Sequence, residues 1–118
     1  MINWKNVEKW RDELRSGKWK QGTRQLFSPI NNTYCCLGVY QRAVQGRLKD
    51  SWGNGSCLDA SGAKSLGISG RRPSLFGVGA IELNDTNSNG VVSWTERLSF
   101  DEIADLLDIA LIEKAHLE

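Results

Sequence analysis

Twelve consecutive residues, Asp85 to Glu96, fill each ligand position of a calcium-binding EF-hand loop. A hard cation needs oxygen ligands at alternating positions around a tight turn. Asp85, Asn87 and Asn89 supply side-chain oxygens, Gly90 stands at the sharp bend, and Val91 offers its carbonyl. Ser93 binds directly or through water, and Glu96 is the bidentate closing ligand. Only Asp85 and Glu96 are anionic, so the expected affinity is weak. Both flanks depart from the pattern. The exiting helix of such a loop begins near Trp94, whereas Ser99, Phe100, Asp101 and Glu102 spell a capping box that starts a helix later, with Leu98 and Ile103 as its hydrophobic staple. The entering segment, Leu75 to Asn84, contains Gly77 and Gly79, each costing about 1 kcal/mol inside a helix. The alternative is a connecting turn rich in Asn, Ser and Gly that binds nothing. Calcium is the one cofactor the chain suggests.

Two further groups of residues carry chemistry. Cys35 and Cys36 are adjacent in an apolar stretch, where thiols usually pack as small hydrophobes; read as nucleophiles at a helix start, they need a base. His116 is the single histidine and lies near the C-terminal end, where fraying is expected. The segment Gly70 to Gly79, with Arg71, Arg72 and Pro73, has the composition of a backbone cradle for an anion, because paired guanidinium forks fit phosphate oxygens. It lacks the spacing of a nucleotide-binding loop and reads equally as a surface loop.

The elements that position these residues follow from periodicity. Asn3 caps a helix with Trp4, Val7, Trp10 and Leu14 on one face and Gly17 as its stop. A short β-hairpin is expected from Trp19 to Phe27 and Thr33 to Cys35 across the turn Ser28 to Asn32. The return strand runs into a helix from Cys36 to Gln45, which buries Cys36, Tyr40, Ala43 and Val44 and ends at Gly46. Residues 46–74 are rich in Gly and irregular, with a short helix from Leu58 to Leu66 that Ser56 would cap. A final helix carries Ile103, Leu106, Leu107, Ala110 and Leu111 on its buried stripe, and Asp101, Glu102, Asp105 and Asp108 outside. It is expected to pack on the first helix or the hairpin. The fold class is therefore α+β, one small globular domain spanning residues 1–118.

The composition, 40% hydrophobic and 25% charged, is that of an ordinary soluble domain. No run of eighteen apolar residues occurs, so no membrane partner is expected, and the charged, amphipathic first twenty residues do not read as a signal peptide. The net charge of +1 conceals two opposed ends. Residues 1–50 hold ten Lys or Arg against four Asp or Glu (+6), and residues 82–118 hold two against nine (−7). Mutual neutralisation within the fold is the first expectation; a basic N-terminal face for nucleic acid is the alternative, unaccompanied by any recognised binding motif.

Three blocks resemble a family of small uncharacterised proteins encoded by bacteriophages and related mobile elements. They are Leu14 to Gly22 with Leu26, the string Tyr34, Cys35, Cys36, Leu37, Gly38, Val39, and Leu83, Asn84, Asp85 joined to Ser99 to Asp105. The resemblance implies a phage accessory protein in the cytoplasm of a bacterial host, and it implies no activity. In relatives the Leu-Asn-Asp element lies a few residues before the final helix, so Thr86 to Leu98 marks the calcium-like loop as an insertion here. Five Trp and eight Arg favour a non-enzymatic binder of a small phosphorylated molecule, such as a nucleotide signal, or of a host protein, in a counter-defence role. Trp19, Arg24, Trp52, Arg71, Arg72 and Trp94 are the expected contacts. A calcium-binding interaction module, a cysteine-dependent enzyme and a nucleic-acid binder are the alternatives.

Overall fold

A computed structural model describes residues 1–22, 25–46, 57–84 and 98–118. Helix α1, Trp4–Arg15, begins where the Asn3 side chain accepts from the Asn6 amide and stops before Gly17, which has φ +78°. Its apolar spacing turns Val7, Trp10 and Leu14 inward, all three buried. Trp4 is only half-buried, and the Lys114 ammonium lies 5.2 Å from the centre of its ring. Helix α5, Phe100–Glu113, carries the capping box read from its sequence: Ser99 Oγ accepts from the Glu102 amide while the Glu102 carboxylate accepts from the Ser99 amide. Its buried stripe is Phe100, Ile103, Ala104, Leu107 and Ala110, with Leu106 and Leu111 half-buried at the margins. The acids of its first turn, Asp101 and Glu102, suit the positive end of the helix dipole.

α1 and α5 pack against each other, and here the opposed charges meet. Arg11 donates to Asp108 at 3.0 Å, and Arg15 donates to Asp105 and Asp108 at 2.7 Å each. The hydrogen bond from Arg15 and, against some desolvation, that from Arg11 hold the Asp108 carboxyl below its ordinary range. Asp105 and Asp108 are therefore partners of the basic helix rather than idle surface charges.

The hairpin exists but is short: β1, Phe27–Ser28, pairs antiparallel with β2, Thr33–Tyr34. The run from Trp19 to Phe27 is not one strand. Its beginning instead lies parallel to β2, with the Tyr34 amide donating to Lys20 O and the Gly22 amide donating to Tyr34 O. Helix α2, Cys36–Val39, follows at once and widens into a π-helical turn, Tyr40–Val44, in which Gln41 is buried and accepts from the Asp59 amide. Gly38 is fixed by packing, because a Cβ there would collide with the Leu26 carbonyl oxygen. Ala43 and Val44 are half-buried.

Helix α3, Ala60–Leu66, is capped by Asp59, whose carboxylate accepts from the Gly62 amide at 2.8 Å. Ser56, the expected cap, lies outside the described residues. Two two-residue strands follow, β3 at Ser74–Leu75 and β4 at Val78–Gly79, and then α4, Ala80–Asn84. The segment expected as an anion cradle is thus partly a tight hairpin: Phe76 and Gly77 both adopt positive φ (+54° and +79°), the backbone of a type I′ turn. The C-terminal end is tied down rather than frayed, since residues 116–118 add to β3 through Phe76 N to His116 O, Ser74 N to Glu118 O and Glu118 N to Ser74 O.

One core joins these parts. The Trp10 indole donates to Cys36 O at 2.8 Å and stands edge-on to Tyr40, whose hydroxyl shares a hydrogen bond with Ser65. Burial pushes the Tyr40 phenol up, opposed by its bonds to Ser65 and Asn6. The architecture is α+β.

Candidate functional site

The cysteine pair is structural. Cys35 and Cys36 are 4% and 0% exposed, which closes both thiols to a substrate in this conformation. Cys35 caps α2, its sulfur accepting from the Gly38 amide, and the Cys36 thiol points at Ala80 O at 3.5 Å. His116, the single histidine, engages Glu113 at 2.6 Å and stacks on Phe76 with ring centres 4.4 Å apart. The conspicuous Tyr34 to Val39 block is buried throughout, and its cohesion comes from an equally buried residue, Asn84. Asn84 Oδ1 accepts from the Cys36 amide and from Gln21 Nε2, its Nδ2 donates to Gly22 O, and Gln21 Nε2 also donates to Leu98 O. One carboxamide thus joins the start of α2, the strand beside β2 and the end of α4.

Tyr34 forms the floor of an open cleft of about 430 Å³, lined by Lys18, Trp19, Lys20, Asn31, Asn32 and Tyr34. The local sequence explains each placement. After α1 stops, the Ser16 hydroxyl donates to Glu13 O and accepts from the Lys18 amide, fixing the bend that presents Lys18 and Trp19. Pairing to β2 then holds Lys20. The turn of the hairpin supplies Asn31 and Asn32, the latter at φ +53°, a conformation that Asn accepts more readily than most residues. Trp19 meets Tyr34 edge-to-face at 5.1 Å, Phe27 lies 4.8 Å from Tyr34, and the Trp19 indole donates to Glu13 Oε1 at 3.0 Å. The Lys18 ammonium is 3.8 Å from the other Glu13 oxygen, and its side chain is 67% exposed.

A second cleft, about 300 Å³, lies at the other hairpin between Ser74, Phe76, Gly77, His116 and Glu118. It offers an imidazole and a carboxylate where the first offers two ammonium groups.

Of the residues expected to touch a ligand, Trp19 lies in the first cleft. Arg71 and Arg72 are exposed ahead of buried Pro73 and line neither cleft; the Arg71 carbonyl accepts from the Leu58 amide. Arg24, Trp52 and Trp94 lie outside the described residues, as do Asp85, Asn87, Asn89, Val91, Ser93 and Glu96 of the calcium-like loop. Among the described residues no three His, Cys, Asp or Glu side chains gather to hold a metal ion, and no helix is long and apolar enough to cross a membrane. Lys18, Lys20, Asn31, Asn32 and Tyr34 escaped the sequence reading. The alternation of cation, aromatic and cation from Lys18 to Lys20 was the available signal, but the two Asn residues looked like turn chemistry alone.

Compared with protein-family models, with curated proteins and with solved structures, the chain gives no match. The phage resemblance rests on its three residue blocks.

Proposed function

We propose that this protein is a non-catalytic binder that captures a small phosphorylated molecule in the Trp19 cleft, serving a bacteriophage or mobile element inside a bacterial host. The supporting observation is the convergence of two ammonium groups, a half-buried indole and two carboxamides over a rigid aromatic floor. Aromatic faces stack on planar rings, ammonium groups pair with phosphate, and carboxamides read donor and acceptor edges. The volume falls in the range of small-molecule sites. Burial of both neighbouring thiols favours capture over cysteine chemistry. The pairing of Arg11 and Arg15 with α5 removes two of the cations that a nucleic-acid face would use. The host setting follows from the three residue blocks, and a counter-defence role is the use a phage has for such capture.

The test is the melting temperature of the wild type and of Trp19→Ala and Lys20→Ala across cyclic and linear nucleotides and sugar phosphates. A true ligand stabilises by about 2.7 kcal/mol at a hundredfold excess over its dissociation constant. Both substitutions should abolish that gain while leaving the ligand-free protein folded. A melting temperature that no compound moves refutes capture at this cleft.

A further inference from the structure

We infer that Glu13 is a positioning residue for the Trp19 cleft: from one point on α1 it sets the indole and the first lysine before a ligand arrives. The inference rests on the capture reading and adds to it the origin of the cleft's shape. One Glu13 carboxylate oxygen accepts the Trp19 indole N–H at 3.0 Å, and the other lies 3.8 Å from the Lys18 ammonium. The Glu13 carbonyl accepts from the Ser16 amide at 3.2 Å and from the Ser16 hydroxyl at 2.7 Å, and that hydroxyl accepts in turn from the Lys18 amide at 3.2 Å. The bend from Ser16 to Trp19 is thus gathered onto a single residue in the last turn of α1.

That residue stands on a fixed base. Trp10 and Leu14 anchor this stretch of α1 in the core, and Arg11 and Arg15 join it to Asp105 and Asp108 of α5. Trp19 is consequently held at two places, its N–H by α1 and its ring edge-to-face against Tyr34 at 5.1 Å. Turning the ring breaks at least one of these contacts. Of the two bonds the carboxylate makes, the one to the indole dominates, because it is at full hydrogen-bond distance while the Lys18 pair is longer and well solvated. A stacking surface oriented in advance has little freedom left to lose, whereas immobilising an unheld side chain weakens binding by about two- to tenfold.

Two substitutions separate the bond from the charge. Glu13→Ala removes both, whereas Glu13→Gln keeps an oxygen that accepts from the indole and drops the charge. Protein labelled with 5-fluorotryptophan reports the ring directly by fluorine NMR, with the residue 19 resonance assigned through Trp19→Phe. In the ligand-free state that resonance should shift or broaden in Glu13→Ala and stay near its wild-type position in Glu13→Gln. Isothermal titration calorimetry would use adenosine and uridine 5′-monophosphate and ribose 5-phosphate. For whichever of these binds the wild type, affinity should fall about five- to tenfold in Glu13→Ala and change by no more than about twofold in Glu13→Gln. An unmoved resonance or wild-type affinity in Glu13→Ala, or an equal loss in both variants, overturns the positioning role and leaves capture intact. If none of the three compounds binds the wild type, their capture at this cleft fails, and the inference with it. Glu13→Met, which keeps the length of the side chain without its oxygens, replaces the alanine variant if that one does not fold.

Discussion

Each of the two hairpins recruits a third segment of chain, but the first does so within its own neighbourhood and the second across the sequence. Beside β2 run residues 20–22, only a few positions upstream; beside β3 run residues 116–118, after the whole of α5. The first hairpin is built into the core: Thr33 and Tyr34 are buried, α2 follows without a break, and Asn84 bonds the surrounding backbone. The second presents its turn to solvent, with Phe76 38% exposed under the His116 ring. The floor of the first cleft is therefore part of the core, while its lysines lie at the surface. The second is closed on itself by the stack of Phe76 on His116 and the bond from His116 to Glu113.

Substitutions at the two hairpins should therefore differ in scale. The largest effect is expected at Asn84→Leu, which keeps the branching and the number of side-chain heavy atoms but removes the groups that bond the Cys36 amide and the Gly22 carbonyl in a buried site. A loss of about 3 kcal/mol or more in urea denaturation is expected, together with loss of ligand-induced stabilisation at the Trp19 cleft. A cost near that of a surface substitution would erase the contrast between the hairpins. Next comes Gly77→Ala, where the left-handed backbone penalises an L side chain by about 1–2 kcal/mol while a Cβ meets nothing within 4 Å. This change should leave cleft binding intact, and altered binding would show the two hairpins to be coupled.

The smallest effect belongs to the charged seam between the helices. Asp108→Asn should lower the melting temperature slightly at neutral pH, and the difference should shrink as salt is raised, because this side chain is 34% exposed and screened. Its folded pKa lies below the ordinary 3.8, so the contribution is complete above that value and disappears as pH falls through the lower folded value. Wild type and variant should then converge in acid. Melting curves at neutral pH and well below pH 3.8 check this, and a gap that persists once Asp108 is fully protonated assigns the effect to packing instead.

The ease of reading this chain divides along the range of its interactions. α1 and α5 were legible because their signals are local: Asn3 and Ser99 cap within three residues, and apolar residues recur every three or four. The strand expected from Trp19 to Phe27 was misread because alternation cannot show that the chain turns back to run parallel to β2. Trp19 was a visible candidate as one of five Trp, but its partners Asn31, Asn32 and Tyr34 are distant in sequence.

From the amino-acid order alone came the α+β class, the caps that start both long helices and the stop of the first, and the opposed charges that α1 and α5 bring together. Tertiary structure alone decided that Asn84 is an internal tie, that residues 116–118 bridge to β3, and that Lys18, Lys20, Asn31 and Asn32 face one space. The physical reason is the reach of the forces. Caps and helical faces are set by neighbours a turn away, whereas a buried carboxamide or a cleft exists only once segments far apart in sequence share a core.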